Sequence, residues 1–227
     1  MALGKRATLL LGYTYSKSID DASNLGEQFD PFHYRATRVL SSWDMTHNFV
    51  ATYTYKLPFD RYFGRNRVTE GWSLSGTTRL STGFPVTLFD NSDNSLLGTL
   101  GNGVNNQLLD TPRIAGGNLQ INNDPRSGQP AFNPNYFATE TLGVLGDAPR
   151  RFFHGPGIEN FDVQLSKNVR LNEATSLDFR VEAFNVFNHA QFYGPSSVNG
   201  EVNDPNFGHV VSAASPRLLQ VAMKFYF

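Results

Sequence analysis

The chain has 227 residues, a formal net charge of -1 and no cysteine, which excludes thiolate metal sites, disulfide staples and a cysteine nucleophile and leaves no basic footprint for nucleic acid. Charged residues make up 17%, below the roughly 25% usual in soluble domains. Asn, Ser, Thr and Gly take their place, and aromatics reach 13% with 19 Phe.

No apolar run approaches the roughly 20 residues of a spanning helix. Met1 to Leu11 lacks the long apolar region and small-residue cleavage site of a signal peptide. The dominant hydrophobic period is two, the strand period, and it predicts six strands. The first covers about Arg6 to Ser18, with Ala7, Leu9, Leu11, Tyr13 and Tyr15 on one face and Leu10 breaking the pattern. After a long connection, Ile19 to Met45, the second covers about His47 to Leu57, where Phe49, Ala51, Tyr53 and Tyr55 oppose Asn48, Thr52, Thr54 and Lys56. Pro58 to Glu70 is a shorter link. The third covers about Gly71 to Phe89, with Trp72, Leu74, Gly76 and Leu80 opposite Ser73, Ser75, Thr77 and Arg79. Pro85 cannot donate to a ladder, so a bulge or edge is expected there. Asp90 to Gly157 is a very long connection rich in Gly, Asn and Pro, with room for short hairpins of its own. The fourth strand covers about Ile158 to Val169, the tight turn Arg170 to Ala174 follows, and the fifth covers about Thr175 to Phe187. Asn188 to Pro216 is long again. The sixth, Arg217 to Phe227, places Leu219, Val221, Met223, Phe225 and Phe227 on one face.

The connections alternate long and short, the habit of up-and-down barrels with short periplasmic turns and long extracellular loops. The expected fold is therefore all-β: an antiparallel up-and-down meander of about six long strands, part of a large transmembrane β-barrel. Six strands are fewer than the eight of the smallest bacterial barrels, so an open, curved sheet is expected in isolation. The long connections, about 19–45, 90–157 and 188–216, take the extracellular side and Phe227 the periplasmic side. Alternation alone fits a soluble sandwich equally; loop parity and the last strand favour the barrel. Tyr13, Tyr15, Tyr53, Tyr55 and Trp72, with Phe84, Phe89 and Phe187, fall near strand ends, where amphipathic rings suit a lipid–water interface. Arg79, Asp162, Asp178, Arg180 and Glu182 fall on the polar face and are the lumen-facing candidates, either contacting solute or laddering with neighbouring strands.

Four segments carry a family resemblance. The terminal strand Arg217-Leu218-Leu219-Gln220-Val221-Ala222-Met223-Lys224-Phe225-Tyr226-Phe227 resembles the C-terminal signal of outer-membrane barrels, with Leu219, Val221, Met223, Phe225 and Phe227 as the assembly signal. Tyr13 to Asp21 and His47 to Phe59 resemble a strand-loop junction and its following strand in TonB-dependent receptors of the Oar-like group. That group is abundant in Acidobacteria and carries a carboxypeptidase-regulatory-like domain. Phe179 to His189 is similar to the penultimate strand of TonB-dependent receptors, where F-R-x-E-x-F-N-x-F-N recurs. The resemblance implies the last quarter of a plugged barrel of about 22 strands. It implies as partners outer-membrane lipid, the remainder of the barrel and plug, the barrel-assembly machinery and, through the plug, TonB. The sequence shows no plug or TonB box, so the chain is expected to be a fragment unable to transport alone.

No catalytic or cofactor constellation emerges, so neither enzyme activity nor a cofactor is expected. Asp20-Asp21 and Asp90 to Asn94 lack the Gly and Glu of an EF-hand and read as turn chemistry. The five His lack short ligand spacing, and no G-x-S-x-G elbow is present. The expected function is the wall of a TonB-dependent transporter for a bulky solute. A porin-like or structural barrel component and a soluble carbohydrate-binding sandwich are the alternatives.

Overall fold

The structure, a computed structural model, describes residues 6–23, 27, 37–96 and 110–227. In chain order its strands are β1 (Ala7–Tyr15), β2 (Ile19–Asp20), β3 (Val39–Leu40), β4 (His47–Lys56), β5 (Trp72–Ser81), β6 (Arg113–Ile114), β7 (Phe137–Ala138), β8 (Ile158–Arg170), β9 (Ser176–Phe184) and β10 (Leu218–Tyr226). One short helix, α1 (Phe59–Phe63), lies between β4 and β5. No helix among the described residues is long and apolar enough to cross a membrane, which says nothing of strands.

The six long strands form one sheet in the order β1-β4-β5-β8-β9-β10, every neighbour antiparallel. β1 and β10 are its two edges and do not pair, so the sheet is open. Each long strand thus pairs with the next long strand along the chain, as expected of a meander. Successive connections run long, short, long, short, long, which gathers the long ones at one end of the sheet and the short ones at the other.

Turn chemistry explains the short end. Asn172 Oδ1 accepts from the backbone N–H of Ala174 at 2.9 Å and of Thr175 at 2.8 Å, closing the β8–β9 turn. Asn66 does the same for Val68 and Thr69 in the β4–β5 connection. Gly71 is required at the start of β5: its φ is +77°, and a Cβ there would run into the Asn168 carbonyl.

Strand ends differ from the expected spans. β5 stops at Ser81 rather than near Phe89. Residues 84–88 remain extended but leave the sheet, pairing with 150–155 through Val86 N–H to Phe153 O and Leu88 N–H to Arg150 O. β9 stops at Phe184 rather than Phe187, because Asn185 and Asn188 turn the chain at φ of +50° and +55°, a region Asn tolerates. Asn185 holds this bend by exchanging hydrogen bonds with His189, and its N–H donates to Asp162 Oδ1 at 2.9 Å.

The hydrophobic core lies in the long connections, not under the sheet. Val86, Leu88, Ala131, Phe132, Phe137, Ala148, Phe153, Val198 and Phe207 form it. Phe132 stands edge-on to Phe137, Phe153 and Phe207 at 5.2–5.6 Å between ring centres, the preferred aromatic geometry. The β5–β8 and β9–β10 connections therefore share one core and cap the end of the sheet. Two-residue antiparallel ladders brace it: β6 pairs with β7, and β2 with β3 in the first long connection.

Candidate functional site

The candidate site is the wall itself: two chemically opposite faces and the cap at one end. Cross-strand partners share a face, so the register assigns every side chain. One face carries Leu9, Leu11, Tyr13, Phe49, Ala51, Tyr53, Tyr55, Leu74, Phe161, Val163, Leu165, Phe179, Val181, Leu219, Val221 and Met223. Among the described residues nothing covers it: Leu11 is 56% exposed, Val181 48% and Val221 77%. A continuous exposed apolar surface of this breadth marks contact with a membrane or a partner. The charged side chains on this face are Glu159, near the cap, and Lys167, near the short turns. Lys167 is sheltered: its amine donates to the carbonyls of Val68 and Glu70 and sits 5.4 Å above the Trp72 ring. No second sheet packs on either face among the described residues, so the arrangement is not a sandwich.

The other face is a polar ladder. Ser73 and Ser166 hydroxyls lie 2.6 Å apart, the Ser75 hydroxyl donates to Thr54 at 3.3 Å, and Thr52 faces Thr77. The five polar candidates all fall here. Arg79 donates to Asn48 Oδ1 at 3.0 Å near the cap. Asp162 is taken up by the Asn185 N–H. Arg180 pairs with Asp178 two residues earlier on its own strand at 2.7 Å, not with a neighbouring strand. Glu182 stands between Gln164 and Gln220. The five thus share a face without forming one cluster.

The aromatic candidates lie on the apolar face at its two ends. Tyr13 stacks on His47 by the cap, its hydroxyl 2.9 Å from His47 Nδ1, and Tyr15 packs on the same ring at a tilt. Tyr53, Tyr55 and Trp72 lie toward the short turns. The Tyr53 ring covers Gly76, where a Cβ would come within 2.5 Å of its hydroxyl. Phe84, expected with them, is instead buried in the cap against Trp43 and Tyr193, and Phe89 bridges Glu201 there. Both lie on the stretch that leaves the sheet. The assembly-signal residues Leu219, Val221, Met223 and Phe225 line the apolar face of edge strand β10, and Phe227 is 95% exposed beyond it.

Two polar clusters in the cap were not foreseen from sequence. In the first, the side chain of Arg151 is fully buried and grips Glu27 with two bonds, 2.5 and 2.9 Å, while also donating to Leu40 O and Ser23 Oγ. Arg150 approaches Glu27 at 3.3 Å and donates to the Asp21 carbonyl. Burial raises the Glu27 pKa, but Arg151, the Ser23 N–H and Arg150 outweigh it and hold the carboxyl below the ordinary range. Asp44 is also depressed: the Ser18 N–H, His154 and Thr46 overcome its burial. These contacts tie the first long connection to the second.

The second cluster is acidic. Asp90, Asp110, Glu140 and Glu201 are all buried. Asp90 Oδ1 accepts from Ser92 and Asn203, and Asp110 from Ser95. Both Glu140 oxygens are buried without an N–H or O–H donor among the described residues. Burial pushes the Glu140 carboxyl up to about 8, and its contact with Asp90 adds to the rise. Burial likewise raises Glu201. Among the described residues no three His, Cys, Asp or Glu side chains are placed to hold a metal ion together.

A sequence-family model described as an outer membrane beta barrel domain matches residues 2–220. No curated protein and no solved structure matches the chain. An exposed apolar face, a polar face opposite it and loops capping one end are the features of such a wall, and the match covers five of the six long strands and the start of the last. The chain belongs to the outer membrane beta barrel domain family, whose place is the bacterial outer membrane.

Proposed function

We propose that the chain is the C-terminal wall of a TonB-dependent outer-membrane transporter of the Oar-like type, taking up a bulky solute. The observation that carries this is the pairing of an uncovered apolar face with a continuous polar face on a single-layer sheet. A polar face this wide, open at both edges, suits a large lumen rather than a filled small barrel. The likeness of Phe179–His189 to a TonB-receptor penultimate strand supports the finer assignment. The interlocked cap supports a role for the long connections in capturing solute at the cell surface, since binding residues concentrate on loops held by a rigid scaffold. Edge strand β10 presents unpaired backbone groups and alternate apolar side chains, which suits strand addition to the assembly machinery.

Growth on a panel of siderophores, oligosaccharides, cobalamin and peptides tests the reading in the native host. Deleting the gene and deleting TonB should abolish use of the same solute. Solute use that survives loss of TonB but not loss of the gene would favour a porin-like barrel instead.

A further inference from the structure

The two short-end connections are unlike. The β8–β9 turn is only residues 171–175, whereas residues 57–71 between β4 and β5 build α1 and fold back toward the apolar face. Phe59 meets Trp72 edge-on at 6.1 Å, Phe63 stands 6.4 Å from Phe59, and Trp72 Nε1 donates to the Val68 carbonyl at 2.7 Å. Lys167 closes the same junction by donating to the carbonyls of Val68 and Glu70.

Having docked there, the segment still exposes its large apolar side chains. Tyr62 is 74% exposed, Phe63 72% and Val68 74%, and α1 buries no residue. A helix this short has little stability of its own in water. Its aromatic side continues the lipid-facing surface of Trp72, Tyr55 and Leu74 beyond the strand ends. Basic residues are interspersed. Arg65 pairs with Glu70 at 2.7 Å, while Arg61 and Arg67 have no acidic partner among the described residues. Short turns mark the periplasmic end of such barrels, where the adjoining leaflet presents phospholipid headgroups.

We propose that Phe59–Val68 is an interfacial anchor in which Tyr62, Phe63 and Val68 enter the headgroup–acyl boundary while Arg61 and Arg67 bind anionic phospholipid phosphates. Two features select lipid as the occupant: the aromatic side is continuous with the lipid-facing surface, and the basic side chains complement phosphate. Aromatic rings with a polar edge and long basic side chains with apolar stems both suit that depth. The anchor acts on how the wall sits in the membrane, whatever solute the lumen passes.

The absence of cysteine permits unique labels. Tyr62→Cys and, separately, Val68→Cys carry a nitroxide in the full chain refolded into phosphatidylcholine vesicles with or without phosphatidylglycerol. Ala174→Cys in the other turn is the water reference and Leu165→Cys the hydrocarbon reference. Collision with a water-soluble nickel complex should fall well below the Ala174 level at both anchor positions. It should fall further with phosphatidylglycerol, and Arg61→Gln/Arg67→Gln should abolish that further fall. Ala174-like accessibility at both positions beside a shielded Leu165 overturns the proposal. So does inorganic phosphate replacing phosphatidylglycerol with equal effect.

Discussion

Leu165 and Gln164 are neighbours in the chain with opposite surroundings. Leu165 sits between Leu74 and Val181 on the apolar face, and Gln164 between Ser75 and Glu182 on the polar one. Arg in place of Leu165 should destabilise the protein in lipid by about 2–4 kcal/mol if it reaches the midplane. Arg in place of Gln164 should change stability by no more than about 0.5 kcal/mol, as at an ordinary solvated site. Urea titration of the protein in vesicles reads both, and equal costs would refute the assignment of faces. At this scale the sequence is informative because period-two alternation records each side chain's surroundings directly. It is uninformative for Arg151 and Glu27: they sit on different long connections, and nothing in either local sequence marks the other as a partner.

The elements divide similarly. All six long strands are legible, because Thr, Val, Tyr and Phe at alternate positions suit a pleated surface. Their ends are less so. Phe84, Val86 and Leu88 continue the alternation of β5 because the backbone stays extended, yet all three are buried in the cap and not turned to the membrane. The cap is the least legible element: its Phe residues are scattered through polar, Asn- and Gly-rich stretches, and only the fold brings Phe132, Phe153 and Phe207 together. Its charges set a pH window. Glu140 is raised from 4.5 to about 8, so the protonated acid favours the folded cap and that support is lost as pH rises toward 8. Glu27 and Asp44 are depressed, so their support holds above 4.5 and 3.8 and is lost as pH falls through their lowered values. Thermal melting of the near-ultraviolet aromatic signal should show a maximum between these limits, and Glu140→Gln should flatten the alkaline decline. An unchanged alkaline decline in that variant would remove Glu140 as its cause.

As a whole, the molecule is a wall with a cap. The sheet has no core beneath it, ends in two unpaired edges, and separates an apolar face from a polar one along every strand. The opposed faces fit family membership, with lipid on one side and water on the other, and the two open edges call for further strands to pair with them, since backbone groups at membrane depth must be paired strand to strand. Sequence alternation gave the faces, and loop parity gave the end at which the cap lies. Neither could say that the long connections fold into one body. The most direct test of the central claim is a single-cysteine scan of Leu177 to Ala183 in vesicles, with a fluorescent label read against brominated lipid. Strong quenching is expected at Leu177, Phe179, Val181 and Ala183 and weak quenching at Asp178, Arg180 and Glu182. Uniform quenching, or alternation of the opposite phase, would contradict it.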